Sequence, residues 1–534
     1  MSFSIQPIGG LGQIGSNMMV IRSPSKRTYV IDCGILFPFE DTFNINYLIP
    51  NFENIEKPEF VIITHGHEDH IGAITHLLEK FPGLKVYAPP FAAELIRKKV
   101  DFYPRKLSLK LHTNIKEVIV DNDISFEYIQ VNHSIPDTFG IVIKNLQTQT
   151  GVFYVSDFKV DEHSIHEPVF DFEKLNSSLS KCKKKILLAD STNITSSQIK
   201  TSSEQDLIPA FSKFIQSKTQ RIFVTTFSSN IHRLLNLYYL AKENNRKFVL
   251  YGRSMRSYWE TAVKTKIIPK NLKVYDVDNV NPSSDRLLVC VSGCQGDFRS
   301  TFRRIAYDQD SKFKLNKYDT FLLSSKAIPG NEKRIYQCLN ELSLREVSCI
   351  TNQDELIHAS GHAGREDLLT VINKTNPDTF IPIHGETFFL KKHSEWVRSQ
   401  KTNIRSFNIL NFDIFDFEKE HSIFCQDPPQ PIIIQGNGHE LSREHVKERR
   451  KIAESGLIFI SLFKNQSNQL DFSFNIQGHN ILNVISEEKL QKLIKNIVNG
   501  KKNKVDSEEI RISVRKLIKD LTGIRPVVVV MINI

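Results

Sequence analysis

The apolar positions change rhythm more than once along the chain. Up to about residue 202, apolar runs of strand length alternate with turn residues and brief helical stretches. Phe60-Val61-Ile62-Ile63 is one such run and reads as a buried strand, followed by a helix from Gly72-Ala73-Ile74 onward. This portion, 1–202, predicts one half of a sandwich capped by helices. Over 203–365 the pattern becomes an alternation of helix and strand. Arg221–Thr226 and Lys247–Tyr251 read as strands, Arg233–Glu243 as the helix between them, and Asp285–Val291 and Asp319–Ser324 as further strands of a parallel sheet. The chain returns to the first domain near Asp367, over 366–424, and adds the strand Thr379-Phe380-Ile381-Pro382-Ile383 before His384. Asp427-Pro428-Pro429-Gln430-Pro431 breaks every period and marks a linker, 425–445. Beyond the charged helix Ser442–Ser455 come the strand Gly456–Leu462, helices Ser486–Val498 and Ser507–Leu521, and a final strand Val527–Ile534. That β-α-α-β order, 446–534, predicts a small α+β domain with no catalytic residue types at useful spacing. The whole is a multidomain α/β and α+β chain.

Composition adds bounds. A chain of 534 residues is too long for one core. No apolar run approaches the length of a membrane span, and the polar start Met1-Ser2-Phe3-Ser4 is not a signal peptide. Seven cysteines without paired spacing suit reduced thiols in a cytoplasm, with Cys290 and Cys294 as small core fillers. The net charge of +10 and pI near 9.0 favour a polyanionic partner such as nucleic acid, although a lysine-rich surface serving solubility accounts for them equally well. The runs Lys181–Lys185 and Lys501–Lys504 read as solvated loops.

The chemistry is concentrated in Thr64-His65-Gly66-His67-Glu68-Asp69-His70-Ile71-Gly72-Ala73. Three imidazoles and two carboxylates occupy the six positions His65 to His70. Buried imidazoles and charges each need a partner, and a divalent metal suits all of them at once. Following a buried strand, the cluster should sit on a strand-to-helix loop. Asp69 and His70, just before the helix, can then face a different metal from His65 and His67. A helix-borne His-Glu-x-x-His site is the nearest competitor, but the spacing differs.

The His-x-His-x-Asp-His pattern is the signature of the metallo-β-lactamase superfamily. Other motifs narrow the likeness: Pro7-Ile8-Gly9-Gly10-Leu11-Gly12-Gln13-Ile14-Gly15-Ser16-Asn17, Asp32-Cys33-Gly34, His133-Ser134-Ile135-Pro136-Asp137, Ser156-Asp157-Phe158-Lys159 and Leu188-Ala189-Asp190-Ser191-Thr192-Asn193. They continue as Thr226-Phe227-Ser228-Ser229-Asn230-Ile231-His232-Arg233, Ile328-Pro329-Gly330-Asn331-Glu332, His358-Ala359-Ser360-Gly361-His362 and Pro382-Ile383-His384-Gly385-Glu386. In this order the chain resembles the bacterial ribonuclease J family over essentially its whole length. It departs from the family pattern at Gln13 (Glu there), Ser156 (Gly), Asn46 and Asn51 (Asp), and in Ser292-Gly293-Cys294-Gln295-Gly296-Asp297. These departures bear on rate and substrate preference and spare the metal-ligand positions.

The resemblance implies a metallo-β-lactamase αββα sandwich with an inserted β-CASP domain. It also implies two divalent metal ions, zinc first, with manganese or magnesium as alternatives. His65, His67 and His133 would hold one ion, Asp69, His70 and His384 the other, and Asp157 would bridge. Asp32 and Asp190 would orient ligand imidazoles through their outer nitrogens. His362 would act on the scissile phosphate with Asp69 beside it, and Ser229, Asn230, His358, Ser360 and His362 would grip RNA phosphate, the 5′-monophosphate above all. The bland reading of Ser228 is helix capping.

The implied enzyme is a cytoplasmic 5′→3′ exoribonuclease with internal cutting, acting in RNA maturation and mRNA decay. It would assemble as a homodimer or homotetramer, or with a paralogue, and would touch no membrane. Three other readings are less consistent with the sequence. A hydrolase of small thioesters or lactams does not need a second wall to its cleft. A DNA-processing β-CASP nuclease is disfavoured only by the specific motifs, and a weakly active RNA-binding scaffold subunit only by the intact ligand set.

Overall fold

Strands that bury both faces and strands that alternate apolar with polar positions build different layers here. The computed structural model describes residues 3–38, 44–217, 221–283, 286–400, 403–464, 470–477, 479–482, 484–499 and 506–533. Asp285, Ile534 and the Lys501–Lys504 run fall outside the described residues. The chain forms two compact units, one of residues 1–39 and 47–432 and one of residues 40–46 and 433–534.

In the first unit, an eight-stranded sheet runs in the spatial order His421–Ile423, Ile414–Asp416, Ser4–Gly9, Met18–Arg22, Thr28–Ile31, Phe60–Ile62, Lys85–Tyr87, Lys110–His112. A seven-stranded sheet runs Arg405–Ser406, Thr379–Ile383, Lys184–Asp190, Thr150–Val155, Phe139–Asn145, Ile124–Gln130, Ile119–Asp121. Their facing sides share one core, in which Ile21, Tyr29, Ile31 and Phe60 of the first sheet pack with Phe126, Ile141, Tyr154, Leu188 and Ile381 of the second. Because side chains alternate across a strand, the neighbours Phe153, Val155, Leu187 and Phe380 point the other way. There they pack with Leu175 and Leu179 of helix Phe172–Leu179, Leu368 and Val371 of helix Arg365–Thr375, and Val397 of helix Thr387–Gln400. The expected sandwich is present, closed by the strands that follow the insertion.

The insertion holds a five-stranded, wholly parallel sheet in the order Lys247–Tyr251, Leu287–Val291, Ile222–Thr225, Thr320–Leu323, Ser348–Ile350. Both of its faces are covered, which explains the uniformly apolar strands Leu287-Leu288-Val289-Cys290-Val291 and Thr320-Phe321-Leu322-Leu323. The chain begins this sheet at its middle strand, Ile222–Thr225, crosses to the edge strand Lys247–Tyr251, returns to place Leu287–Val291 between them, and then builds outward on the other side. The crevice beyond the carboxyl ends of such strands is where open α/β sheets bind ligands. The loop Thr226–Asn230 leaves the middle strand at that end.

Two expectations need correction. Asp69 and His70 do precede the expected helix, Ile74–Lys80, but they do not sit on a plain loop: they lie inside a one-turn helix of their own, Glu68–Ile71, which a break at Gly72 separates from it. The His67 carbonyl accepts the His70 and Ile71 N–H groups at 3.0 and 2.9 Å, so the motif itself makes the turn. The presumed linker is also partly structured. Residues 424–431 form neither helix nor strand, but Ile433–Gln435 pairs antiparallel with His439–Leu441.

The second unit is a three-stranded sheet, Leu470–Gln477, Leu457–Lys464, Val527–Asn533, with helices Glu487–Asn499 and Ser507–Thr522. Ile458, Ile460, Leu462 and Val528 on one sheet face pack on Leu490, Ile494, Ile510, Val514 and Ile518. The strand Leu470–Gln477 is absent from the sequence-based β-α-α-β expectation. Among the described residues no helix is long and apolar enough to cross a membrane.

Candidate metal centre

Strand ends bring the expected ligands together. His65 follows strand Phe60–Ile62, His133 follows Ile124–Gln130, Asp157 follows Thr150–Val155, and His384 follows Thr379–Ile383. His67 Nδ1 lies 3.1 Å from His65 Nε2 and 3.2 Å from His133 Nε2. Asp157 Oδ2 stands 3.5 Å from His133 Nε2 and 3.9 Å from His65 Nε2, while Oδ1 stands 3.1 Å from His70 Nε2 and 3.5 Å from His384 Nε2. Asp69 Oδ2 is 3.5 Å from both His70 Nε2 and His384 Nε2. Two groups result, His65-His67-His133-Asp157 and Asp69-His70-His384, each with donor atoms within 4.8 Å of one another. Asp157 offers one oxygen to each group.

These donors fit a divalent cation. Asp157 Oδ1 and His384 Nε2 are buried without a hydrogen bond, a costly arrangement unless something else occupies their lone pairs. Burial holds His65 and His133 well below the ordinary imidazole pKa and His67 down to about 4, keeping them neutral as metal ligands must be. Burial also disfavours charge on His70, yet Asp157, Asp69 and Asp32 outweigh it and push the ring up to about 10. Asp157 and Asp190 do the same to His384. The carboxylates therefore draw positive charge into the centre, and a cation would displace these ring protons.

The outer nitrogens are also held. His70 Nδ1 donates to Asp32 Oδ2 at 2.8 Å, and His133 Nδ1 to the Gly361 carbonyl at 2.6 Å. Thr64 Oγ1 gives its proton to Asp32 Oδ2 at 2.8 Å and so accepts from His65 Nδ1 at 3.0 Å. Thr192 Oγ1 lies 2.9 Å from His384 Nδ1. Asn17 Nδ2 reaches Asp69 Oδ2 at 3.2 Å. Asp32 and His384 both adopt left-handed backbone, φ +59° and +53°, which costs about 1–3 kcal/mol each and persists only where surrounding contacts fix it. Gly34 packs flat on the Glu68–Ile71 turn: a Cβ there would lie 1.6 Å from the Asp69 carbonyl oxygen.

The turn His358–His362 brings the insertion's end to this centre. Asp190 Oδ2 accepts from His362 Nδ1 at 2.8 Å, so Asp190 orients His362 more closely than it does His384, at 3.6 Å. Burial works against charge on His362, but Asp190 and Asp157 raise its pKa. His362, Asp157 and His384 also form a group of the kind that could hold an ion. Ser229 Oγ is 3.1 Å from His67 Nε2, and Ser360 Oγ accepts from Asn193 Nδ2 at 2.9 Å. Asn230 is placed otherwise than expected. Its Oδ1 caps helix Ile231–Glu243 by accepting from the Arg233 N–H, and its Nδ2 donates one of its two hydrogens to Glu204. Ser228, expected as a cap, instead meets Ser254 Oγ at 2.9 Å.

Three family profiles cover these layers: the metallo-beta-lactamase superfamily over residues 11–160, the ribonuclease J beta-CASP domain over 219–342, and the Zn-dependent metallo-hydrolase RNA specificity domain over 354–408. A ribonuclease J of Synechocystis sp. is 30% identical over 508 residues, spanning 92% of this chain and 78% of the relative. The chain belongs to the ribonuclease J family. It is a metal-dependent ribonuclease. A Helicobacter pylori ribonuclease J is 31% identical, spanning 88% of this chain and 69% of its own, and one from Thermus thermophilus is 28% identical, spanning 98% and 94%. A crystal structure of a protein of unknown function from Enterococcus faecalis shares the fold at TM-score 0.54 and 15% identity, covering 81% of this chain and all of its own.

Sequence reasoning placed the candidate ligands of this ribonuclease J relative but missed Asn17, Thr64, Thr192 and Asn193, which position them. Each lies within a motif that carries the family resemblance, and that placement was the available signal. Glu204, paired with the buried Arg233 at 2.6 Å, carried no such signal.

Proposed function

We propose that this ribonuclease removes nucleotides 5′→3′ from 5′-monophosphorylated RNA and also cuts internally, in the cytoplasm, during RNA maturation and mRNA decay. The observation that carries the hydrolytic centre is the split of Asp157, with one oxygen facing each group of ligands. His65, His67 and His133 would hold one divalent cation, Asp69, His70 and His384 a second, with Asp157 between them and zinc preferred over manganese or magnesium. Such cations, when bound, activate water and neutralise charge on the attacked phosphodiester.

The chain's own residues supply the rest. Asp32, Thr64, Thr192 and the Gly361 carbonyl fix the rings of His70, His65, His384 and His133, so the ligands need no reorganisation. Asp190 holds the proton on His362 Nδ1 and favours the charged ring, which can then give the Nε2 proton to the leaving 3′ oxygen. Ser229, His358 and Ser360 would receive the 5′-phosphate. The C-terminal unit would join copies of the chain, as a homodimer or homotetramer or with a paralogue. Phe459, Val529 and Met531 lie exposed on the sheet face opposite its helices.

Digestion of RNA carrying monophosphate, triphosphate or hydroxyl 5′ ends, with and without chelator, tests the reading. Monophosphate RNA should fall to mononucleotides, triphosphate RNA should resist end-first attack, and chelation should stop both exo- and endonucleolytic cleavage. Equal end-first rates on all three would exclude a 5′-phosphate pocket.

A further inference from the structure

Among the described residues, Arg233 is the largest side chain that the fold buries completely. Its charge is met by Glu204, through Nε at 3.0 Å and Nη2 at 2.6 Å. The remaining donors tie three segments together at the carboxyl end of the parallel sheet. Nη1 reaches Thr226 Oγ1 at 3.3 Å, the Ser324 carbonyl at 2.8 Å and His358 Nδ1 at 3.1 Å, and Nη2 reaches the Ala359 carbonyl at 3.0 Å. A guanidinium has only donors. His358 Nδ1 must therefore present its lone pair, and the ring proton must sit on Nε2. The opposite tautomer, protonated on Nδ1, would set donor against donor at 3.1 Å.

We propose that Arg233 is a positioning residue for 5′-end recognition: it locks His358 as the neutral Nε2–H tautomer, so that the half-buried ring offers a terminal phosphate one fixed, uncharged donor. This rests on the 5′-phosphate reading given above. Burial and the neighbouring guanidinium hold the His358 pKa down to about 3, so the ring stays neutral at working pH. Ser360 is prepared in the same way. Its Oγ accepts from Asn193 Nδ2 and from the His362 N–H, at 2.9 and 3.1 Å, which leaves its own proton to donate. A pocket of uncharged donors selects by shape. A cationic pocket would instead reward the extra charge of a triphosphate.

Glutamine at 358 keeps an N–H donor near the Nε2 position, whereas asparagine is too short to place one there. We therefore expect His358→Gln to hold the KM for monophosphate RNA within about threefold of the parent. His358→Asn and His358→Ala should raise it about ten- to a hundredfold, the effect of one hydrogen bond to a charged group. In His358→Asn and His358→Ala the loss should be larger on monophosphate RNA than on 5′-hydroxyl RNA. The tautomer is read independently of RNA from long-range 15N–1H spectra of protein carrying 15N-labelled histidine, the His358 peaks being those lost in His358→Gln. A proton on Nδ1 overturns the proposal, as does loss of monophosphate preference in His358→Gln equal to that in His358→Ala. A parent protein with the Nε2–H tautomer but no 5′-end preference would keep the positioning role and defeat only the 5′-phosphate reading.

Discussion

The Nδ1 proton of His362 points at Asp190 Oδ2, 2.8 Å away, so the ring has one face committed and one free for substrate. His362→Ala should lower turnover by about two to four orders of magnitude, the range for a lost general acid, with metal content unchanged. Metal analysis beside single-turnover cleavage decides this, and loss of metal in the variant would make His362 a ligand. Glu204 carries a pH prediction. Burial alone would raise its pKa, but Arg233 and Asn230 bring it down to about 2 from an ordinary 4.5. A depressed carboxyl stabilises the fold above about pH 4.5 and loses that contribution as pH falls toward 2. Glu204→Gln should cost roughly 3–5 kcal/mol at pH 7 by stranding a buried guanidinium. Denaturant titrations should show the gap to the parent narrowing as pH drops below 4.5, and a gap independent of pH would refute the assignment. Residues of this kind set the limit of legibility. His65, His67, Asp69 and His70 announce themselves because so many metal-ligand types rarely share one turn. Thr192 and Asn193 are ordinary polar residues until strand Thr379–Ile383 and the turn His358–His362 close over them.

Elements were legible wherever burial on both faces made a strand uniformly apolar, as in Lys247–Tyr251 and Thr379–Ile383, whose limits match those expected. The strand Leu470–Gln477 lies outside the β-α-α-β reading, although Leu470, Phe472, Phe474 and Ile476 alternate with polar residues in the sequence. The one-turn helix Glu68–Ile71 was not legible, because four residues carry no period. Its position depends on a neighbour instead. Gly34→Ala would drive a methyl into the Asp69 carbonyl and displace Asp69 and His70 together. Bound metal and cleavage should then fall in parallel, by about ten- to a hundredfold as for other groups that orient ligands. Equilibrium dialysis against the metal reads the first and RNA digestion the second. Unaltered metal affinity would show that the turn can yield without moving its ligands.

At the scale of the whole molecule, the C-terminal unit has its own core and, among its described residues, no candidate ligand, so its contribution should be to assembly. Chain cut near Pro428-Pro429 should sediment as a monomer with reduced activity, against a dimer or tetramer for the full chain at matched concentration. Identical masses would remove the assembly role. The sandwich itself closes late in the chain: Ser4 and Ile5 pair with Asp416 and Phe415, and the second sheet receives Thr379–Ile383 only after the whole insertion. Contacts so distant in sequence are slow to form. During synthesis, a nascent chain that has not yet reached His384 lacks a complete ligand set and exposes the edge of its first strand. The same order leaves that open edge in need of protection from aggregation while it waits for its partner.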